Sequence, residues 1–199
     1  KCFMFSTCKH ARTFLAKYDW KDNDIVIPVN NSFRDLGSHL NLTNALNGAT
    51  LTQRLHKATT TVRRLKFMPI SQADKEMAIR CNILPAALYG CESSHINQLA
   101  LQGLRSGIAR VIGPRSARTC VDTVFAYTAG AKDLDPYTYI LYNKVAGLRR
   151  IMAKHPECIT LVRHIIMLQH SSHEEDKAFF GPVGSLLQQL HVCNASIGG

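Results

Sequence analysis

Acidic residues are missing from two long stretches of this chain. None falls between Asp35 and Asp74, and none between Glu92 and Asp122. With 24 Lys+Arg against 14 Asp+Glu, the formal net charge is +10. A solvated helix face ordinarily mixes signs, so a one-sign surface points to a polyanionic partner, and nucleic acid fits it better than an anionic membrane surface. No apolar run approaches the length of a membrane span, and no membrane partner is expected. The seven cysteines are scattered and odd in number, without a Cys-x-x-Cys pair, which excludes a secreted disulfide framework. Most of them are expected to be small buried hydrophobes in a reducing compartment.

Other signatures are also missing. There is no Gly-x-x-x-x-Gly-Lys-Ser/Thr phosphate loop, no internal repeat and no low-complexity segment. His155, Cys158, His164, His170, His173, His191 and Cys193 do not follow the spacing of ordinary Cys/His sites, so no metal site is assigned. Ser171, His173 and Asp176 do not make a hydrolase triad, which needs a positioned nucleophile. Residue 1 is Lys and no signal-peptide pattern follows, so the chain is expected to begin inside a longer protein.

What is present suffices for a folded core. The chain has 199 residues, 46% of them hydrophobic and 19% charged, a composition that argues against disorder and predicts one or two domains. Leu51, Leu55, Ala58, Val62 and Leu65 recur at alternating spacings of four and three, predicting an amphipathic helix with one buried stripe. Arg54, Lys57, Thr61 and Arg64 form a second stripe at the same spacing, with Arg63 and Lys66 beside it. Such a face suits a phosphate backbone, because each Lys or Arg contact releases counterions.

Upstream of that helix, Phe33, Leu36 and Leu40 give a partial strand pattern interrupted by Gly37. Gly37 reads either as a hairpin turn or as a place where another backbone passes close by. Cys2 to Ser6 and Ile25-Val26-Ile27 read as further short strands, the latter stopped by Pro28, and His10 to Tyr18 as a short helix. Downstream, Ser71 with Asp74 predicts a capped helix start, and Pro85 ends or kinks that helix. A further helix is expected over His95 to Ile112, with Ile96, Leu99, Leu104, Ile108 and Ile112 on one side. Gly113-Pro114 marks a boundary. Asp135-Pro136 predicts an N-cap with Pro in the first turn, opening a helix with a broad apolar face whose Lys144, Arg149, Arg150 and Lys154 lie towards its negative end. Two more helices follow, Cys158 to Leu168 and a short one after Gly181-Pro182.

In order and spacing, Phe33-Arg34-Asp35-Leu36-Gly37, the basic helix, Leu84-Pro85-Ala86-Ala87-Leu88-Tyr89-Gly90-Cys91-Glu92 and Ile108-Ala109-Arg110-Val111-Ile112-Gly113 resemble the C-terminal part of a reverse transcriptase of the non-long-terminal-repeat retrotransposon type. The match covers roughly Lys1 to Gly113. The resemblance implies that Phe33, Leu36, Gly37 and Ser38 form the primer grip at the palm edge. It implies that Arg54, Lys57, Arg63, Arg64 and Lys66 hold the template–primer backbone without reading sequence. It also matches Lys1 to the palm lysine that assists proton transfer to the leaving pyrophosphate. The metal-holding carboxylates of polymerase chemistry, which the family places in a Tyr-x-Asp-Asp turn and an earlier strand, are absent from the sequence. No cofactor belongs to this piece, then, and magnesium is implied only for a complete polymerase.

The expected fold is α+β, a small antiparallel sheet followed by a mostly helical bundle. The expected organisation is palm-edge strands and hairpin over 1–46, a thumb-like helical domain over 47–113 and a helical extension over 114–199. The expected function is that of a C-terminal piece of an RNA-directed DNA polymerase, not catalytic by itself, whose partners are an RNA or DNA template–primer and the rest of the polymerase chain, acting inside the cell in nucleus or cytoplasm. The other reading from the residues is a non-enzymatic basic helical module that binds nucleic acid or protein.

Overall fold

Helices dominate the computed structural model, which describes residues 3–18, 27–35, 38–41, 48–114, 120–128, 130–171 and 181–192. In chain order they are α1 (Lys9–Lys17), a hairpin of β1 (Ser32–Asp35) and β2 (Ser38–Asn41), α2 (Ala49–Leu65), α3 (Gln72–Ala78), α4 (Leu84–Leu88), α5 (Gln98–Ile112), α6 (Val121–Tyr127), α7 (Pro136–Lys154), α8 (Cys158–Ser171) and α9 (Gly181–Val192). A π-helical turn, Ile79–Ile83, joins α3 to α4, and a 3-10 turn, Ala131–Leu134, precedes α7.

The α+β expectation is therefore corrected. Strand is confined among the described residues to β1 and β2, four residues each, which pair antiparallel and only with each other. Of the Cys2 to Ser6 run, Cys2 lies outside the described residues and Phe3 to Ser6 form no strand: Met4 makes one isolated parallel bridge to Val29, and Phe3, Phe5 and Phe33 instead gather their rings, with centroids 5.1 and 4.8 Å from Phe33. A two-stranded ribbon is marginal alone and does not nucleate a larger sheet without further strands. Ile25 and Val26 lie outside the described residues, and Ile27 is in no regular element.

The core forms where the helical periodicities meet. On α2 the buried residues are Leu51, Leu55, Ala58, Thr59, Val62 and Leu65, the anticipated stripe plus one threonine whose hydroxyl donates to the Leu55 carbonyl at 2.8 Å. This face packs against α5 and α4. Gly48 precedes α2, and a Cβ there would lie 1.9 Å from the His95 carbonyl oxygen. Only glycine lets the start of α2 come so close to the backbone leading into α5. That helix begins at Gln98 rather than His95, because the Asn97 side chain accepts from the Ala100 amide at 3.0 Å and caps it. Leu101, Leu104, Ile108 and Ile112 point inward, while Leu99, expected among them, is 80% exposed. At 100° per residue it lies across the helix from Leu104 and Ile108.

The Ser71 cap forms as its sequence indicates, accepting from the Asp74 amide at 3.1 Å. Pro85 does not end the helix. It sits in the first turn of α4, and the wide turn before it takes up the strain: the Leu84 amide donates five residues back to the Ile79 carbonyl. A π turn displaces the carbonyls that a proline ring would otherwise strike.

One cluster of buried side chains runs from Leu51 through Ile140 and does not break at Gly113. Arg105 joins its two sides. From α5, its Nε lies 3.0 Å from Asp135 Oδ1 and its Nη2 2.8 Å from Asp135 Oδ2, and Nη1 reaches Asp122 at 2.5 Å. The guanidinium also stacks over Phe125 and Tyr137, 5.0 and 4.9 Å from the ring centroids. Asp135 meanwhile accepts from the Tyr137 amide at 3.0 Å, the cap that Asp135-Pro136 announced.

The cysteine expectation is also corrected. Of the described cysteines, Cys91 alone is buried, Cys158 is half-buried, and Cys8, Cys81 and Cys120 are exposed. Among the described residues, no helix is long and apolar enough to cross a membrane.

Replacing Arg105 by Ala leaves Asp135, a nearly buried carboxylate, without its counter-ion. Urea unfolding should show a loss of about 3 kcal/mol. Leu99→Ala should stay within about 0.5 kcal/mol of the parent chain, and a comparable loss there would contradict the helix phase described above.

Candidate nucleic-acid interface

Helix α2 turns its apolar stripe into the core, which leaves its basic residues on the outer side. Lys57, Arg63, Arg64 and Lys66 are exposed, and Arg54 is half-buried. Among the described residues, Lys57, Arg63, Arg64 and Lys66 have no carboxylate within ion-pair distance. Lys57 and Arg64 stand two turns apart, about 10 Å of rise, which corresponds to about three nucleotide steps of a strand rising 3.4 Å each. Arg63 lies about 100° around the helix from Arg64 and Lys66 just past its end, so the cationic surface is a ridge with a flank.

Arg54 has a different position. Its Nη1 donates to the Tyr89 carbonyl at 2.8 Å, and its guanidinium lies 5.5 Å from the Tyr89 ring centroid. Tyr89 follows the last residue of α4, and Gly90, with φ of 79°, turns the chain in the left-handed region that favours glycine. The Arg54 side chain thus ties α2 to the end of the Pro-x-x-x-Tyr-Gly segment. Lys75 makes a comparable tie, donating to the Lys66 carbonyl at 3.2 Å.

The hairpin residues are only partly described. Phe33 lies on β1, half-buried in the aromatic cluster with Phe3 and Phe5. Ser38 begins β2, opposite Asp35. Leu36, Gly37 and Lys1 lie outside the described residues. The structure accordingly groups Lys57, Arg63 and Arg64 on α2, with Lys66 just past its end, and places Phe33 in a separate cluster near the start of the chain. A shallow basic cleft of about 410 Å³ near α1, lined by Lys9, Arg12 and Lys17 among others, adds positive surface there.

Among the described residues, no three His, Cys, Asp or Glu side chains gather as a metal site would require. No reaction step is assigned to this chain.

A second constellation carries no sequence motif. Lys144, midway along α7, is 5% exposed, and its Nζ lies 2.5 Å from Ser185 Oγ of α9. Burial pulls its ammonium below its ordinary pKa, opposed by the nearby Glu92 carboxylate. Nearby Cys91 shows the converse: burial, with Glu92 adding to it, pushes its thiol up to about 12. Lys144 lines a cleft of about 330 Å³ together with His95, Gln98, Ser185 and Gln189, and with the buried Ile96 and Leu101. The sequence held one signal for it. Pro136, Ile140 and Lys144 follow at spacings of four, so the lysine occupies the next place on the buried side of α7.

In comparisons with known proteins, no family model, no curated protein and no solved structure matches this chain.

Two outcomes follow. Arg54→Ala should cost about 1 kcal/mol of stability through the lost carbonyl bond and ring contact, whereas Lys57→Ala should change stability by less than about 0.5 kcal/mol; equal losses in thermal unfolding would put Arg54 on the free ridge instead. In neutral iodoacetamide, Cys8 and Cys120, whose thiols are drawn below their ordinary pKa by the backbone amides of Ala11 and Thr123 respectively, should alkylate at least about a hundredfold faster than Cys91. Mass spectrometry of the labelled peptides reads the order, and early labelling of Cys91 would contradict its burial.

Proposed function

We propose that this chain binds the sugar-phosphate backbone of a template–primer through the outer ridge of α2, as the thumb-like, non-catalytic part of an RNA-directed DNA polymerase of the non-long-terminal-repeat type. The observation that carries the binding is the exposed set Lys57, Arg63, Arg64 and Lys66, without carboxylate partners among the described residues, on and just past a helix whose other face is buried in the core. A rigid, one-sign helix face loses little entropy on docking and gains counterion release at each phosphate.

The polymerase assignment rests on the sequence resemblance. It is supported by the order of hairpin, basic helix, proline-containing helix, Tyr89-Gly90 turn and α5 ending at Gly113. On this reading Arg54 shapes the thumb from within, and the rest of the polymerase chain supplies the palm carboxylates, with magnesium and the chemistry. The setting is intracellular, in nucleus or cytoplasm, wherever the template lies.

The test is the salt dependence of duplex binding. The parent chain should bind RNA–DNA and DNA duplexes of unrelated sequence with similar affinity, falling steeply with salt. Replacing Lys57, Arg63 and Arg64 together by Gln should flatten the slope of log affinity against log salt by about 2–3. An unchanged slope, or the absence of salt-sensitive binding in the parent chain, would sink the proposal.

A further inference from the structure

The Lys144 cleft is built from parts that favour a negative ligand. Lysine offers three donors, and Ser185 Oγ accounts for one of them; among the described residues no carboxylate lies within ion-pair distance of Nζ. A charge taken out of water to this depth is costly unless it is paired and hydrogen-bonded. Among the described residues that line the cleft, no acid occurs. Its polar lining besides Lys144 is Ser185, Gln98, Gln189 and His95, and Ile96 and Leu101 complete it. The cleft also meets the first residue of α5. There Asn97 satisfies the Ala100 amide through its side chain and the Leu101 amide through its carbonyl, so Gln98 and Leu99 are left as the first-turn amides outside that cap, at the positive end of a 15-residue helix.

We propose that this cleft is a binding site for a small oxyanion, a carboxylate or phosphate group of a free small molecule, held by the Lys144 ammonium and the Ser185 hydroxyl beside the N-terminus of α5. A helix N-terminus accepts such groups readily. The buried ammonium adds a full charge where solvent screens it little, and the neutral amides supply orientation. The volume, about 330 Å³, lies at the small end of ligand pockets and admits a small organic anion, not a duplex. The site is independent of the α2 ridge.

Isothermal titration of the full chain at constant ionic strength, with inorganic phosphate and separately with acetate, tests it and distinguishes phosphorylated from carboxylate ligands. At least one probe should bind saturably with one-to-one stoichiometry. Lys144→Met, a change that buried lysines often tolerate because it removes a desolvated charge, should abolish that binding while leaving duplex affinity unchanged. Should Lys144→Met fail to fold, Ser185→Ala provides the reading: the affinity for the bound probe should fall about fivefold or more. No saturable binding of either probe to the parent chain overturns the proposal, as does binding retained in Lys144→Met, or, in its stead, unchanged in Ser185→Ala. The Lys57, Arg63 and Arg64 triple variant should bind the probe as the parent does, so this site and the duplex interface succeed or fail separately.

Discussion

The Arg105–Asp135 pair is the constraint on which the second half of the structure depends. One carboxylate does two things. It holds a guanidinium from α5 in a two-pronged bond, and it caps the first turn of α7. The rings of Phe125 and Tyr137 close over the same guanidinium, so α6 and α7 are positioned by one side chain. Buried ion pairs add little net stability over apolar packing, but a planar fork fixes direction in a way that apolar contact does not. Lys144 lies nine residues beyond Asp135, about 13 Å along the helix, so the register set at this pair carries through to the cleft where Lys144 meets α9.

Net charge alone overstates the free positive surface. Arg54 and Lys75 donate to main-chain carbonyls, Arg105 is held by two carboxylates, and Arg80 lies 3.5 Å from Asp133. These cations join elements to one another. Lys57, Arg63, Arg64 and Lys66 have no such bonds among the described residues and face outward. The separation is one of reach: Arg54, Arg80 and Arg105 meet carbonyls or carboxylates of neighbouring elements, whereas the other four lie on or just past the outer side of α2 and are exposed.

Much of α2 was legible because its signal is local. Period 3.6 in Leu51, Leu55, Ala58, Val62 and Leu65 dictates which side is buried whatever it packs against. The caps at Ser71 and Asp135 were legible for the same reason, since a side chain two or three residues from the amide it accepts needs no tertiary partner. The palm-edge sheet was not legible, because strand pairing is decided by chain segments far apart, and here the aromatic rings of Phe3, Phe5 and Phe33 cluster without a ladder to join them. Leu99 was misplaced by reading apolar identity ahead of helical phase. Pro85 was expected to end or kink its helix, and only the structure shows that the chain continues through a π turn, which has no sequence signature of its own.

By itself, then, the sequence determined the helical segments, their caps, the buried side of α2 and the positive charge of its outer side, all consequences of spacing along one stretch of chain. Only the tertiary structure decided which cations remain free. Arg54 and Lys57 are three residues apart on the same helix, yet one reaches the Tyr89 carbonyl, 35 residues away, and the other reaches solvent. It likewise decided that Lys144, one cation among many in the sequence, is buried against Ser185 at the edge of a cleft. Burial and long-range partners depend on how helices cross, and no periodicity within a single segment encodes that.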